Sequence, residues 1–458
     1  MRTLSGESYV GSGARRPLGD GSYGNAKTLE ACLLSVLAGL SDPGTIAHSL
    51  RTGNMPKVTK FKEGPFAGPP WIRGEKGHAM ESLCVGFFTE IYRPVVNGVV
   101  ESVEGLAESL RARGHEVYCF TPWIPGHIEA DGPVFRMPSL PLPTRTRYRL
   151  TLPLVSRRNL NGIIKRLSVV HVHSPFVTGW MGLRYARRYG MPLVYTYHTQ
   201  LEAYAHYVPF EPNATRFAAT QLTRTFANRT DAVIVPTRAM AQRLRDVGVR
   251  TRIEIVPSGI DVARFGAGRR DEGLRSRIGV RQEDMLLLCV CRLAKEKNLE
   301  LLFEALACAK DPALKLVVAG EGPLRADLEE LARARGLSRQ MRFLGLVARA
   351  ELPDLYASAD AFVMPSTTET QGLVLAEALA AGAHVIAADA AQNRDVLDGA
   401  GQIVAPTPEA FARAFRELGS HPDRHPAARR AAQRFSLETQ TDRTLALYDS
   451  LRHPARIA

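Results

Sequence analysis

Two glutamates separated by seven residues are the part of this sequence best placed to do chemistry. Glu369 and Glu377 lie in STTETQGLVLAEALAAG, residues 366–382. The run before it, ADAFVMPS, is apolar without alternation, as expected of a parallel strand buried on both faces. Small and hydroxyl residues then make a loop, and from Gly372 the pattern becomes that of a helix closed by Gly382. Such a helix start offers unpaired backbone N–H groups and the positive end of the macrodipole, which together suit a phosphate. Gly372, Leu373 and Val374 would present those amides. A rise of about 1.5 Å per residue separates the two carboxylates by roughly 10–12 Å. A sugar–diphosphate–ribose ligand has about that length, so one acid could hold the sugar and the other the ribose. A capping acid followed by a surface glutamate has the same spacing, and the pair alone does not choose between the two.

Cations and a histidine stand at comparable places. In MLLLCVCRLAKEKN, from Met285, a buried strand ends near Arg292, and a loop with Lys295 and Lys297 leads to a helix capped by Asn298. Arginine offers a bidentate fork and lysine a compact charge, both fitted to a diphosphate, although a solvated basic loop has the same composition. Gly320 follows the apolar run LKLVVA. His198 falls at the carboxyl end of the strand in MPLVYTYHT, where ligands approach a doubly wound sheet. A single histidine there is as readily a satisfied core residue.

The elements that must position these groups alternate from Leu83 onward. LCVGFFTE reads as a strand, Asn97 and Gly98 open a helix ending at Gly114, and EVYCFTP reads as the next strand. Asn97 could be only a cap, whereas Gly98 leaves room for a ligand beside the backbone. Strand–helix alternation to the end predicts an α/β chain with ligands at the carboxyl ends of its strands. The expected domains are residues 80–257, 258–435 and a last helical segment, 436–458. Gly266–Val280 has the composition of an interdomain connection. Residues 1–79 are rich in Gly, Ser and Pro with poor periodicity, so a low-order extension is expected. If translation starts instead at Met80, mass spectrometry of the native protein will find no peptide from before that residue.

Composition narrows the class. At 458 residues, 45% hydrophobic and 23% charged, the chain can bury two or three cores. No apolar run approaches the length of a membrane-spanning helix. Six cysteines without metal or disulfide spacing fit a reducing cytosol. The net charge of +13 is uneven: between Asp131 and Glu202 there are eleven Arg or Lys and no acid. Such a field attracts an anionic membrane surface or nucleic acid, or reflects solvated faces built from arginine. Around Leu140, LPLPTRTRYRLTLPLVSRRN mixes aliphatic side chains, prolines and cations, as in a segment resting on anionic lipid or packed on its own domain. Between Asp131 and Tyr185 the aromatic residues are few (Phe135, Tyr148, Phe176, Trp180), which argues against nucleic acid. No Asp-x-Asp occurs, so the usual metal–diphosphate clamp is missing and no metal or other cofactor is expected.

Several of these motifs, in this order, resemble retaining glycosyltransferases of family 4, over about Leu83 to Ser450. Glu369 and Glu377 match the E-x7-E element of that family, and RLAKEKN its donor-phosphate motif through Arg292 and Lys297. Gly320 begins a family GEGP pattern, and YTYHTQLEAYAHY is similar to its catalytic-histidine segment. The resemblance implies the GT-B fold, two facing Rossmann-like doubly wound domains with a cleft between them. It implies a nucleotide-sugar donor, Glu369 and His198 at the reacting sugar, Glu377 on the ribose, and the Asn97–Gly98 loop near donor phosphate and acceptor. Tyr204, His206 and Tyr207 become candidates for the acceptor pocket. TETQG with the His198 segment looks most like diacylglycerol glucosyltransferases, implying UDP-glucose or another UDP-hexose and a lipid acceptor. The expected setting is cytoplasmic, peripheral on the inner face of the cell membrane. The alternative is a GDP-mannose-dependent transferase acting on a phosphoinositide or a soluble acceptor.

Overall fold

Short apolar runs without alternation become strands sealed on both faces. Cys84–Phe88, Ala232–Val235 and Ala361–Met364 are buried at every position. The structure, a computed structural model, describes residues 82–127, 133–141, 149–152, 158–207, 211–418 and 426–453. The 1–79 extension therefore lies outside the described residues, as do the LPTRTRY and PLVSR portions of the basic segment.

The first domain is built on β1 (Cys84–Phe88), β2 (Glu116–Pro122), β3 (Val134–Met137), β6 (Val169–Val172), β7 (Leu193–Thr196), β8 (Ala232–Val235) and β9 (Arg252–Ile255). They form a parallel sheet ordered β3-β2-β1-β6-β7-β8-β9. A small antiparallel pair, β4 (Ser139–Pro141) and β5 (Arg149–Thr151), stands beside it. The second domain contains β10 (Met285–Val290), β11 (Leu314–Ala319), β12 (Met341–Gly345), β13 (Ala361–Met364), β14 (His384–Ala388) and β15 (Gln402–Val404). Their order, again parallel, is β12-β11-β10-β13-β14-β15. Each sheet reverses its direction of growth once, between β1 and β6 and between β10 and β13. Loops leaving the two strands at such a point diverge to opposite faces and open a crevice.

Residues 266–280 are not a connection, contrary to their composition. Phe265 and Val280 are sealed in the second-domain core. Arg275, with no exposed surface, donates to Ser358 O at 2.9 Å, Asp360 Oδ2 at 3.0 Å and Asp284 O at 2.7 Å. An arginine paired with a buried aspartate and two carbonyls can sit inside a core; composition alone cannot distinguish it from a solvated one.

The last helix, Leu437–Arg452, starts against the second domain, where Leu437 N donates to Ile260 O and Gly259 N to Gln440 Oε1. It then crosses to the first domain, placing Leu445, Leu447 and Tyr448 in one core with Val85, Phe87 and Val100. Burial of each such side chain contributes roughly 1.5–3 kcal/mol, and here that contribution links the two sheets.

Candidate active site

The loops after β10 and β13, which flank the second sheet's reversal, carry the second-domain acid and cation. Lys297 Nζ lies 2.5 Å from Glu369 Oε1. The β13 loop is fastened to the β10 loop by Ser366 Oγ and Thr368 Oγ1, which both donate to Glu296 O at 3.1 and 3.2 Å. The sequence assigned Lys297 to phosphate and Glu369 to sugar; the structure brings them into one ion pair. Burial lowers the Lys297 ammonium, but the Glu369 charge and hydrogen bond, with Tyr204 nearby, outweigh it and raise its pKa. Burial raises the Glu369 carboxyl, yet the Lys297 charge and hydrogen bonds from Lys297 and Ser366 hold it below the usual carboxylate range. Both groups are therefore charged near neutrality.

The first domain approaches the same loop. Gln200 Nε2 donates to Thr368 O and Glu369 O at 3.1 and 2.8 Å. Thr370 Oγ1 donates to His198 O at 2.9 Å, and Thr237 Oγ1 donates to Thr370 O at 3.1 Å. Gln371 closes the set, its Oε1 accepting from Ser258 N at 2.7 Å and its Nε2 donating to Ser258 O at 3.0 Å. The main chain at His198 and the loop that carries Glu369 are thus fastened to each other by a few polar residues between the lobes. Sequence reading missed Thr370, Gln371, Gln200 and Thr237. The only signal for Thr370 and Gln371 was a polar TETQ between two apolar elements, which a solvent loop shares, and Gln200 and Thr237 read as ordinary polar residues after strands.

Glu377 is inside the second domain. Its Oε2 accepts from the Tyr356 hydroxyl at 2.8 Å. Burial raises its pKa, opposed by the Tyr356 hydrogen bond and by the charges of Arg349 and Arg264. The helix runs Leu373–Ala381, so only the later half of the Glu369–Glu377 interval is helical, and a rise per residue does not measure their separation. Gly372 begins that helix at φ 76°, with no side-chain cap on the amides that follow. Opposite it, Asn97 Oδ1 accepts from Val100 N at 2.9 Å and caps the first-domain helix Gly98–Ala112. A Cβ on Gly98 would lie 3.6 Å from Leu373 Cδ1, so two helix N-termini face one another across the cleft. Arg349 reaches across it to pair with Glu101.

Arg292 is half-buried just past β10. Gly320 stands beside it for a steric reason: at φ 137°, an added Cβ would meet Cys291 O at 1.9 Å. Gly320→Ala is expected to lose about 3 kcal/mol or more of stability, because a backbone carbonyl cannot yield as a side chain can; urea unfolding measures it. Tyr204 lies in the 3₁₀ turn Leu201–Tyr207, close enough to Lys297 to act on its charge. His206 and Tyr207 share that turn, but their side chains are outside the described residues. After β14 the Asp389 carboxylate pairs with Arg394.

Comparison with known proteins agrees with this arrangement. Residues 96–264 match the family model "Glycosyltransferase Family 4", and residues 271–435 match "Glycosyl transferases group 1". An alpha-monoglucosyldiacylglycerol synthase of Acholeplasma laidlawii is 35% identical over 66% of this chain and 80% of its own. One from Streptococcus pneumoniae is 33% identical over 67% and 71%. A GDP-mannose-dependent alpha-mannosyltransferase of Mycolicibacterium smegmatis is 32% identical over 69% and 82%. Among solved structures, Anabaena Alr3699/HepE in complex with UDP-glucose superposes with a TM-score of 0.62 at 19% identity, over 80% of this chain and all of that one. Sucrose-phosphate synthase of Thermosynechococcus elongatus gives 0.65 at 21% identity, over 81% and 100%. With two parallel α/β domains, a cleft where their sheets reverse, and relatives at this identity over most of their length, the chain belongs to glycosyltransferase family 4 and has the GT-B fold.

Proposed function

We propose that this enzyme moves a hexosyl group, with UDP-glucose the favoured donor, onto a lipid such as diacylglycerol at the surface of an anionic membrane. The observation that supports it most is the Lys297–Glu369 pair, whose TETQ loop is hydrogen-bonded to the His198 main chain, in a chain similar to monoglucosyldiacylglycerol synthases. In this reading Arg292, Lys297 and the amides around Gly372, Leu373 and Val374 draw charge from the departing diphosphate. Glu369 and His198 hold the sugar, Glu377 the ribose hydroxyls, and Tyr204 with the Asn97–Gly98 loop borders the acceptor. The acceptor oxygen attacks the face from which the diphosphate leaves, so configuration is retained. As the new C–O bond forms and the old one breaks, the hydroxyl proton passes to the leaving phosphate oxygen. No metal is proposed, so a chelator should leave the rate unchanged. No helix among the described residues is long and apolar enough to cross a membrane. The basic stretch between residues 131 and 202 would attract the enzyme to the inner face of the cell membrane.

The test is transfer of label from UDP-glucose, UDP-galactose or GDP-mannose into organic extract, with and without diacylglycerol vesicles. Transfer from UDP-glucose that needs the vesicles is the expected result. Label moving only from GDP-mannose, or into a soluble product, would overturn the donor or the acceptor respectively. Vesicle co-sedimentation should require anionic lipid and weaken with salt.

Tyr356 offers a finer check on the ribose end. Tyr356→Phe removes a hydrogen bond that favours the charged form of Glu377, so its already raised pKa climbs further. UDP affinity at neutral pH should fall by roughly tenfold, since a hydrogen bond to a charged group contributes about 1.5–3 kcal/mol. The affinity should recover as pH rises and Glu377 ionises, which calorimetric titration at several pH values would follow.

A further inference from the structure

His198 has a partner that the reaction as described does not use. Its Nε2 lies 3.0 Å from Nδ1 of His173, which follows β6 at the first sheet's reversal. The His173 ring is clamped on two sides. Phe87 meets it edge-on at 4.6 Å between centroids, and the His171 ring lies 4.2 Å away, tilted by 33°. His171 is itself fixed by the Tyr448 hydroxyl and Thr196 Oγ1, both at 2.6 Å. His173 therefore cannot turn to offer another atom.

One hydrogen lies between the two ring nitrogens, and the rest of His173 decides who owns it. Its Nε2 is buried with no hydrogen-bond partner among the described residues. A proton there would be a donor with no acceptor, which is rarely tolerated; an unfilled lone pair is the lesser loss. The proton accordingly sits on Nδ1 and is donated to His198. The tautomer of an imidazole is set by the bond its other nitrogen makes. We infer that His173 is a positioning residue that locks His198 as the Nδ1–H tautomer, so that His198 meets its substrate as a hydrogen-bond donor and not as a base. Burial keeps both rings neutral, holding His198 at about 4 and His173 well below the ordinary histidine value. The inference rests on His198 facing the sugar and its acceptor, as proposed above. It sends the acceptor proton away from this residue.

Two measurements test it, the first independent of any substrate. In ¹⁵N-imidazole-labelled protein, two-bond ¹H–¹⁵N spectra should show His198 Nδ1 as pyrrole-type and Nε2 as pyridine-type; the reverse assignment overturns the proposal. The second compares two near-isosteres in the transfer assay. His173→Asn can still donate from the same place, whereas His173→Asp can only accept. The Asp variant forces a neutral His198 into the Nε2–H tautomer, with loss of roughly 10²-fold in kcat, while the Asn variant loses less than about tenfold. At lower pH the Asp variant should recover, because protonated His198 again carries hydrogen on Nδ1, so its rate falls with rising pH through the histidine range. If His198 acts as a base, that slope has the opposite sign. His171, held at about 3, and the Lys297–Glu369 pair keep their charge states over this range and do not imitate either slope.

Discussion

Glu369→Gln should fold normally and transfer hexose at least about 10²–10³-fold more slowly, the loss typical of removing one preorganised electrostatic group from a transition state. Replacing the carboxylate by an amide keeps shape and removes charge, so positive character at the anomeric carbon is no longer stabilised from that side. The same change leaves Lys297 without its partner at 2.5 Å. Both side chains keep 17–18% exposure, so the fold should lose less than the roughly 3–5 kcal/mol of a sealed ion pair. UDP binding should persist or strengthen, because an unpaired ammonium is then offered to the diphosphate. Initial rates beside a thermal melt and a UDP titration separate these effects. Near-native turnover by a folded Gln variant would remove Glu369 from the chemistry.

Much of this architecture is visible in residue pattern, for a physical reason. Parallel strands sealed on both faces are apolar at nearly every position, so AFVM and AVIV mark β13 and β8 without knowledge of their neighbours. Glycines at positive φ, such as Gly372 and Gly382, mark helix ends because few other residues accept that backbone. Glu369, Lys297 and His198 could be placed because they follow such strands. What could not be read is partnership across the cleft. Gln200 and Glu369 are 169 positions apart, and no periodicity connects them. Arg275 illustrates the other limit, since its burial depends on Asp360, which the sequence places 85 residues away. His173 is a third case: within HVHSPF it reads as one more strand-end polar residue, and only the fold brings it to His198.

The second large effect is expected from Lys297→Met, and its pH dependence distinguishes the two tasks of this lysine. In the native enzyme, Glu369 is pulled in opposite directions: burial raises its pKa, while the Lys297 charge and the hydrogen bonds from Lys297 and Ser366 lower it, and the lowering prevails. Without the ammonium, burial dominates and the carboxyl titrates above its ordinary range. A rate that needs the carboxylate is then lost as pH falls through that higher value, whereas the native rate persists to more acidic conditions. At neutral pH the variant should lose on the order of 10²–10³ in kcat, from the missing diphosphate contact and from partial protonation of Glu369 together. Raising the pH should restore only the second part. Lys297→Arg keeps the charge with a different shape, so it should regain the native acidic limb while remaining slower than the native enzyme throughout. Parallel pH profiles for the native and Met enzymes would show that the two side chains do not act on one another during turnover. In that case the diphosphate contact alone would account for the lysine.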